Sequence, residues 1–495
     1  MNRSTNFLVV AVSLLLLIPC FWHAHIEAGD LGSHIYNTWL AELVQQGNAP
    51  GVYIVNQWTN VAFDLLLFHL SKVFGIAAAE KIAVSVCVLV FFWGLFAFLT
   101  VTAQRPPWLL APFIAMLSYG YIFHMGFMNY YLSLGLACIG LSFVWSARRN
   151  GIIVCCLLAP LVFLAHPVGF LWFAGTALYR LLWLRLVGNW KLILPAGALL
   201  LLFACCWYLA HHPEYKVQWR GTPFWHMNGA DQLHVFGARY IWFALALSLF
   251  AVADTGIAFV KESNRLKLFE DRRLILELYL IMFCATTFLP ENFRTAGAIG
   301  LLGTRLTLIS AILLLCWLAS LPTRPWHLML SSVCAAVFFV FLYQDTGYLD
   351  RMESNMERLT RPLPFGTRTL SSIFAPSSYR ETYLHISDRA CIGHCFLVSN
   401  YEAASNKFRI RVQQSSPVVT GSADDTGDMQ SGTYNVQSED LPLKQIYQCD
   451  ERDLTRVCIR DLAAGETNGR IGYHPDDRLL SHHKRKATEA SGPGG

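Results

Sequence analysis

The sequence predicts an α-helical polytopic membrane protein with a small C-terminal extracytoplasmic domain that contains β-strands. Composition is the first reason, because 54% of the 495 residues are hydrophobic and only 14% are charged, whereas soluble domains carry roughly 25% charged residues. The second reason is that long apolar runs alternate with short polar connections up to Tyr343, and no run after Gln344 is long enough to cross a bilayer. This composition excludes a disordered chain, a nucleic-acid-binding protein and an ordinary cytosolic enzyme.

The apolar runs predict about eleven membrane spans, since a hydrocarbon core about 30 Å thick requires a helix of roughly 20 apolar residues. We expect the spans near residues 7–23, 82–102, 108–123, 128–146, 151–166, 169–187, 192–210, 240–260, 274–289, 303–321 and 326–343. The first span is predicted to be an uncleaved anchor, because the FWHAH segment after it lacks the small residues of a signal-peptidase site. The transmembrane domain is therefore predicted to cover residues 1–343.

The distribution of Lys and Arg predicts a cytoplasmic N-terminus, because cytoplasmic connections are enriched in positive charge. In this orientation the most basic connection lies inside, with Lys261, Arg265, Lys267, Arg272 and Arg273. An odd number of spans then places residues 344–480 in the periplasm or its equivalent, as the soluble domain of an inner (plasma) membrane protein. Residues 481–495 are polar and are predicted to form a disordered tail.

Polar residues gather in two long outer loops, 24–81 and 211–239. In the first loop, residues 31–46 have helical periodicity, and Gly47 and Pro50 end the pattern. If this helix begins one turn earlier, one of its faces carries Glu27, Asp30, His34 and Asn37. A second helical stretch would align residues four apart, namely Asn56, Asn60 and Asp64. Both helices are expected to lie along the membrane surface.

Asp30 is the candidate catalytic residue, because a carboxylate just outside a span can take the proton from an acceptor hydroxyl as it attacks a sugar carbon. The competing interpretation is structural, since Asp30 precedes the helix and aspartate is a favoured N-cap residue. His34 and Asp64 are candidate substrate-binding residues in the same loop. The sequence specifies no cofactor with certainty, and a divalent metal held by Asp30 and His34 stays open.

Arg294 and Arg305 are candidate binding residues for a phosphate group, because guanidinium recognises phosphate through two parallel hydrogen bonds. Arg305 lies within the tenth predicted span, where a charge is costly, or it marks the outer end of that span and extends towards water. His166, in a short outer turn, is a further candidate for substrate binding. Outer loops are polar in any membrane protein, so a purely structural interpretation of each histidine stays open.

The first part of the chain resembles a known superfamily. One span, then an outer loop that opens with GDLGSH, then a helix that ends in GNAP, resembles the membrane glycosyltransferases of the GT-C superfamily over residues 1–130. The stretch HMGFMNYYLSLGLACIGL is also similar to the fourth helix of bacterial members. The superfamily includes protein mannosyltransferases, aminoarabinose transferases and lipopolysaccharide-core transferases.

The resemblance implies a catalytic aspartate in the first outer loop, a polyprenyl-phosphate sugar as the donor and a soluble domain outside the membrane. Asp30 stands at the position of that aspartate. Many members have Asp-Glu there, whereas this chain has Asp30 followed by Leu31, which leaves metal dependence open. The rest of the chain corresponds to the superfamily only in architecture.

The C-terminal domain is predicted to contain two strands joined by a turn within residues 395–421, with Phe408, Ile410 and Val412 on one face. Its four cysteines are Cys391, Cys395, Cys449 and Cys458. In an oxidising compartment they suggest two disulfides, for which three pairings exist, and a metal at Cys391, His394 and Cys395 is the weaker alternative. The polar residues 421–433 are predicted to be disordered.

These patterns predict an enzyme of the cell envelope, a glycosyltransferase that moves a hexosyl or pentosyl group. Its expected partners are a lipid-linked donor, a polyprenyl-phosphate sugar, and a glycan or lipid acceptor at the outer face of the membrane, with no nucleic acid. One alternative is a transporter or flippase of lipid-linked glycan, which would favour internal repeats and broken helices near the midplane. A non-catalytic membrane scaffold is the other.

Overall fold

The computed structural model describes residues 3–146, 150–212, 214–219, 228–261, 269–270, 272–294, 300–322, 324–374, 383, 385–413, 416–450 and 452–469. Within these ranges the chain is mostly helical, with short strands in the loops between helices and a small sheet near the C-terminus. The predicted tail, 481–495, lies outside the described residues.

The first part of the chain forms two helices of the loop 24–81 between apolar ones. The helices are α1 (Arg3–Phe21), α2 (Leu31–Gln46), α3 (Ala62–Phe74), α4 (Ile76–Ala103), α5 (Ala111–Leu117) and α6 (Tyr121–His124). Apolar runs form helices because a helix pairs its own backbone groups where water is absent. The long α4 ends where Gln104 adopts a left-handed conformation, φ 56°, shortly before Pro106 and Pro107, since proline cannot continue a helix.

The following helices are α7 (Met128–Trp145), α8 (Gly151–Ala165), α9 (Pro167–Arg185), α10 (Trp190–His211), α11 (Ile241–Lys261), α12 (Arg273–Phe288), α13 (Leu302–Ser320) and α14 (Pro325–Thr360). The last of these runs without a break through the predicted domain boundary at residues 343 and 344. Its apolar first half therefore continues directly into a polar second half, which carries Asp350, Glu353 and Glu357 towards the C-terminal domain.

Seven helical segments of the described chain are long and apolar enough to cross a membrane, and they contain α4, α7, α9, α10, α11, α13 and α14. Three shorter apolar segments are Thr5–Phe21, Trp108–His124 and Gly151–Ala165. The chain thus has the helices of a membrane-embedded protein, whereas the number of about eleven spans stays a prediction.

The core of the helical domain is built around the crossing of α4 and α7. Gly94 and Gly135 meet at this crossing, and a Cβ atom on Gly94 would overlap the carbonyl of Gly135. Small residues let two helix backbones approach closely, which is a common means of helix association in membranes. The helix α10 differs, because its apolar side chains are largely exposed, among them Leu201 and Phe203. Lipid is the environment that such a surface fits.

The C-terminal domain contains a four-stranded sheet. Its strands are β4 (Thr367–Ser372), β5 (Cys395–Leu397), β7 (Leu443–Gln448) and β8 (Val457–Leu462), in the order β5-β4-β7-β8. The strand β4 is parallel to β5 and to β7, and β7 and β8 are antiparallel. Two further strands, β2 (Lys216–Gln218) and β3 (Asn292–Arg294), form a separate antiparallel pair.

The predicted hairpin within residues 395–421 is wrong. A short helix, α15 (Tyr401–Ser405), separates β5 from β6 (Ile410–Val412). The strand β6 pairs instead with β1 (Val52–Ile54) of the first outer loop, in antiparallel register with Val52 opposite Val412. The alternating pattern was real, but its partner lies more than 350 residues away, which a local pattern does not specify. This pairing joins the C-terminal domain to the first outer loop.

The predicted disorder of residues 421–433 is also wrong, because α16 (Ala423–Ser431) forms there. The hydroxyl of Ser422 accepts a hydrogen bond from the backbone N–H of Asp425, and Gly432 ends the helix with φ 75°. Both are regular helix-terminus signals. The disulfides join Cys391 to Cys395 and Cys449 to Cys458, one of the three pairings.

Candidate functional site

The loop before α2 lies against the turn that follows α6. The N–H of Gly29 donates to the carbonyl of His124 at 2.8 Å, and the N–H of Asp30 donates to the carbonyl of Met125 at 3.0 Å. Gly126, with φ +82°, lies so close that a Cβ there would overlap the backbone nitrogen of Asp30. Only glycine tolerates this conformation and this approach together. The backbone of Asp30 is therefore fixed by the helical domain.

The side chain of Asp30 does not cap the helix that it precedes. It makes no hydrogen bond to the first turn of α2, so the structural interpretation of this residue does not fit the geometry. Its side chain is 24% exposed, and one carboxylate oxygen lies 3.7 Å from Nε2 of His385. A partly exposed carboxylate that its own helix does not use can meet a substrate hydroxyl.

His385 comes from the C-terminal domain, and the sequence analysis did not identify it. Its ring stacks on Tyr401 with centroids 4.7 Å apart, and its Nδ1 lies 3.3 Å from Asp388. Burial alone would lower the pKa of His385, but the Asp388 carboxylate outweighs it and raises the pKa above its usual value. The i, i+3 spacing of His385 and Asp388 was the one local signal of this pair.

His34 and Asp64 form the tightest ion pair in this region, with Nδ1 and Oδ1 2.7 Å apart. Asn129 of α7 holds the other carboxylate oxygen of Asp64 through its amide, at 2.8 Å. The side-chain carbonyl of Asn129 accepts from the backbone N–H of Phe63, also at 2.8 Å. Burial opposes the charge on His34, but Asp64 prevails and raises the pKa of His34 to about 10. His34 and Asp64, the two predicted substrate-binding residues, therefore form an ion pair with each other.

Glu402 of α15 completes this group from the side of the C-terminal domain. One of its carboxylate oxygens accepts from the hydroxyl of Ser33 at 2.9 Å and lies 3.9 Å from Nδ1 of His34. Burial raises the pKa of Glu402 to about 7 despite the attraction of His34. A shallow recess opens beside Glu402 and Asp64, lined on its other side by Phe408 and Arg409. We call the group of Asp30, His34, Asp64, His385 and Glu402 the outer pocket.

Arg305 lies in the first turn of α13 and interacts electrostatically with Asp30. Its guanidinium carbon lies 4.3 Å from the centroid of the Phe127 ring, and one Nη donates to the carbonyl of Gly300. The Nε atom is buried and has no hydrogen-bond partner within the described part of the chain. A buried donor without a partner is costly, so Nε is a position where an anionic ligand would be stabilised.

His166 reaches the same region indirectly. Its ring centroid lies 5.0 Å from that of Tyr130, and the hydroxyl of Tyr130 donates to the carbonyl of Arg305 at 2.8 Å. The Nδ1 atom of His166 accepts from the N–H of Val168 at 3.2 Å and so caps α9. The backbone of Arg294 lies in β3 opposite Lys216, while its side chain is outside the described residues.

Two predicted helix faces differ from the structure. The helix α2 begins at Leu31 and not one turn earlier, so Glu27 lies in the preceding loop and points into a separate buried group. The helix α3 begins at Ala62, so Asn56 and Asn60 precede it and do not share a helical face with Asp64. Among the described residues, Asp30 and His34 do not belong to a group of close metal-ligand atoms.

Comparison with protein-family models, with curated proteins and with solved structures found no match to this chain.

The outer pocket combines two kinds of group. The carboxylates of Asp30, Asp64 and Glu402 can accept protons, and the imidazole of His385 and the neighbouring guanidinium of Arg305 interact with Asp30. A carboxylate beside a guanidinium group can activate a hydroxyl while the guanidinium stabilises a leaving phosphate. The arrangement is therefore suited to the transfer of a group from a phosphate to a hydroxyl.

Proposed function

We propose that the chain is a membrane glycosyltransferase that moves a sugar from a polyprenyl-phosphate donor to a hydroxyl of a glycan or lipid acceptor at the outer face of the membrane. The observation that carries the proposal is the carboxylate of Asp30, which does not cap α2, is 24% exposed and faces His385. A general base requires a carboxylate that is ionised, accessible and held in place. The resemblance of residues 1–130 to GT-C enzymes supports the same assignment.

The proposed step is a single displacement. The Asp30 carboxylate accepts the proton of the acceptor hydroxyl while that oxygen forms a bond to the anomeric carbon of the donor. The bond between the anomeric carbon and the phosphate oxygen breaks, and its electron pair leaves with the polyprenyl phosphate. Because the hydroxyl attacks from the face opposite to the leaving phosphate, the anomeric configuration inverts. General-base assistance of this kind accelerates a reaction by about 10²–10⁴-fold.

Arg305 is the proposed binding group for the donor phosphate. Its stacking on Phe127 and its contact with Gly300 fix the plane of the guanidinium group, and Nε is left without a partner. A fixed donor aimed at the position where charge develops stabilises the departing phosphate. The apolar surface of the neighbouring helices is suited to the polyprenyl chain of the donor.

The recess beside Asp64 and Glu402 is the proposed acceptor side. Amide and carboxyl groups line it, including Asn37 and Asn60, and Phe408 adds an apolar face. This mixture suits a sugar, which presents hydroxyls at its edges and C–H groups on its faces. The proposal places Asp30 and His385, whose side chains lie together, on the same extracytoplasmic side of the membrane.

The test is a transfer assay on the full chain reconstituted in lipid. Polyprenyl-phosphate sugars with different head groups are offered with a mixture of glycan and lipid acceptors, and release of polyprenyl phosphate is measured. Nucleotide sugars serve as the control donor class. We expect release from at least one polyprenyl-phosphate sugar, none from nucleotide sugars, and a loss of about 10²–10⁴-fold in Asp30→Asn.

Two results would contradict the proposal. Equal release by the wild-type chain and by a folded Asp30→Asn variant would remove Asp30 from the chemistry. Movement of an intact lipid-linked sugar across the bilayer, with no release of polyprenyl phosphate, would favour the transporter instead.

A further inference from the structure

A second group of ionisable side chains lies behind the outer pocket. His25 and Glu27 precede Asp30 in the loop, and Asp350 lies in the polar half of α14. One ligand atom from each of these three residues lies within 4.8 Å of the other two. Metal-bound nitrogen and oxygen atoms lie about 2.0–2.2 Å from a transition-metal ion, so a small inward shift would bring all three to coordination distance.

Glu27 is the reason to regard this group as a binding site. The residue is only 2% exposed, and its Oε1 atom is buried with no hydrogen-bond partner among the described residues. An ionised carboxylate in such a position is strongly destabilising unless a cation neutralises it. Its own loop neighbour His25 and Asp350 are the groups that it faces. A small recess, lined in part by His25 and Glu27, adjoins the group.

The ring of His25 lies between two carboxylates, and a metal ion would replace its hydrogen bond with Asp350 while the one with Glu357 stays. Its Nε2 lies 3.0 Å from Glu357, and its Nδ1 lies 2.9 Å from Asp350. Imidazole ligands usually donate the N–H of one ring nitrogen to a carboxylate, which fixes the tautomer and leaves the other nitrogen free for the metal. With the proton on Nε2 and directed at Glu357, the lone pair of Nδ1 points towards Asp350.

The surrounding charges favour a cation. Arg389 is shared between two carboxylates, with Glu80 and Glu353 both 3.1 Å away. It therefore has little left to offer the remaining acids, although it acts on Glu27 from a distance. The site is surrounded by five carboxylates, those of Glu27, Glu80, Asp350, Glu353 and Glu357, and by two cations other than His25, namely Lys81 and Arg389. A divalent ion bound to neutral His25 would offset two of the three excess negative charges.

We propose that His25, Glu27 and Asp350 bind one divalent transition-metal ion, and that zinc is the ion that suits them best. One imidazole and two carboxylates are ligands that zinc accepts, with water as the fourth ligand. Calcium and magnesium fit less well, because both prefer sets of oxygen ligands only. We refer to these three residues as the loop metal site. It is separate from Asp30, and it does not depend on the proposed transfer activity.

Such a site would have a structural role, because it would connect two segments of the chain. It would tie the loop that carries Asp30 to α14, and Glu357 would link it to the same helix two turns further on. The ion would thereby fix the position of the outer pocket without contacting a substrate. A structural ion of this kind stabilises the folded chain because the unfolded chain does not assemble the ligands.

The test measures metal content and thermal stability of the full chain, expressed without a histidine tag. The protein is stripped with a chelator, dialysed, and titrated with ZnCl₂, with CaCl₂ and MgCl₂ as competing ions. We expect one zinc per chain and a higher Tm with zinc than after stripping. Zinc affinity should fall at least tenfold in Glu27→Gln and by roughly 10–100-fold in Glu357→Gln, which removes only the outer partner of His25. The matched control is Glu439→Gln, an exposed carboxylate, which should bind zinc as the wild-type chain does.

Equal zinc affinity of the wild-type chain and of a folded Glu27→Gln variant would overturn the proposal, as would the absence of zinc binding. Replacement of zinc by Co²⁺ allows a spectroscopic test that needs no variant. Its visible spectrum should show tetrahedral or five-coordinate nitrogen and oxygen ligands, whereas a thiolate charge-transfer band would place the ion at a cysteine and contradict the assignment.

Discussion

The outer pocket and the buried network of Arg389, Glu80 and Glu353 are built from the same segments of the chain but differ in exposure to solvent. Both use the loop between α1 and α2, and both use the C-terminal domain, which supplies His385 to the pocket and Arg389 to the network. In the network the side chains of Glu80 and Glu353 are 5% and 0% exposed. In the pocket the side chain of Asp30 is 24% exposed and does not cap its helix.

This difference separates the two regions by role. A buried carboxylate with a fixed cation holds parts of a structure together, and losing the cation is costly. A partly exposed carboxylate contributes little to stability but can exchange protons with a bound hydroxyl. The comparison predicts that substitutions in the network reduce stability, whereas substitution of Asp30 reduces activity.

The largest loss of stability is expected for Arg389→Gln. The change removes the cation from Glu80 and Glu353 and also removes the hydrogen bond to the carbonyl of Ile26, at 2.8 Å. Two buried carboxylates are then left without a cation, which costs about 3–5 kcal/mol. Thermal unfolding in detergent measures the effect. The matched control is Arg456→Gln, because Arg456 is 69% exposed and its ion pair should contribute only about 0–1 kcal/mol.

An Arg389→Gln variant with the Tm of the wild-type chain would contradict the claim that the buried network stabilises the fold.

A smaller, pH-dependent loss is expected from the His34–Asp64 pair. The folded chain holds the pKa of His34 at about 10, above the usual value of 6.5. The pair therefore stabilises the fold fully below pH 6.5, and this contribution is lost as the pH rises through about 10. The loss should be on the order of a few kcal/mol, since the His34 side chain is 9% exposed.

Thermal unfolding between pH 6 and about 10.5 checks this window. The wild-type Tm should fall across it, and the double variant His34→Gln, Asp64→Asn should show a flatter profile. His69→Gln is the control, because His69 is exposed and its profile should follow the wild type. Parallel slopes in the wild type and in the double variant would show that this pair does not carry the pH dependence.

The sequence predicted local features of the pocket well. The helix α2 has the predicted bounds, Leu31–Gln46, because its periodicity and the glycine that ends it are local signals. Asp30 was identified from its chemistry and from the resemblance. The contacts that complete the pocket were missed, because His385 and Glu402 lie more than 350 residues from Asp30 and are brought there by tertiary packing.

The position of Glu27 shows a second limit of prediction from sequence. Glu27 has the spacing of a helical neighbour of Asp30, yet the helix begins after both residues. The loop turns between them, so that Glu27 is buried while Asp30 stays partly exposed. Helical periodicity applies only within a helix, and the beginning of a helix is among the least certain features of a sequence.

The most direct test of the division between the two regions measures Tm and transfer rate together in Asp30→Asn and Asp64→Asn. The side chain of Asp30 does not cap α2, so Asp30→Asn should change stability by less than about 1 kcal/mol while the rate falls by about 10²–10⁴-fold. Asp64→Asn should lower the Tm, because it leaves His34 buried without its charge partner. An Asp30→Asn variant that keeps the wild-type rate, or that loses activity only in proportion to its loss of folded protein, would contradict the account.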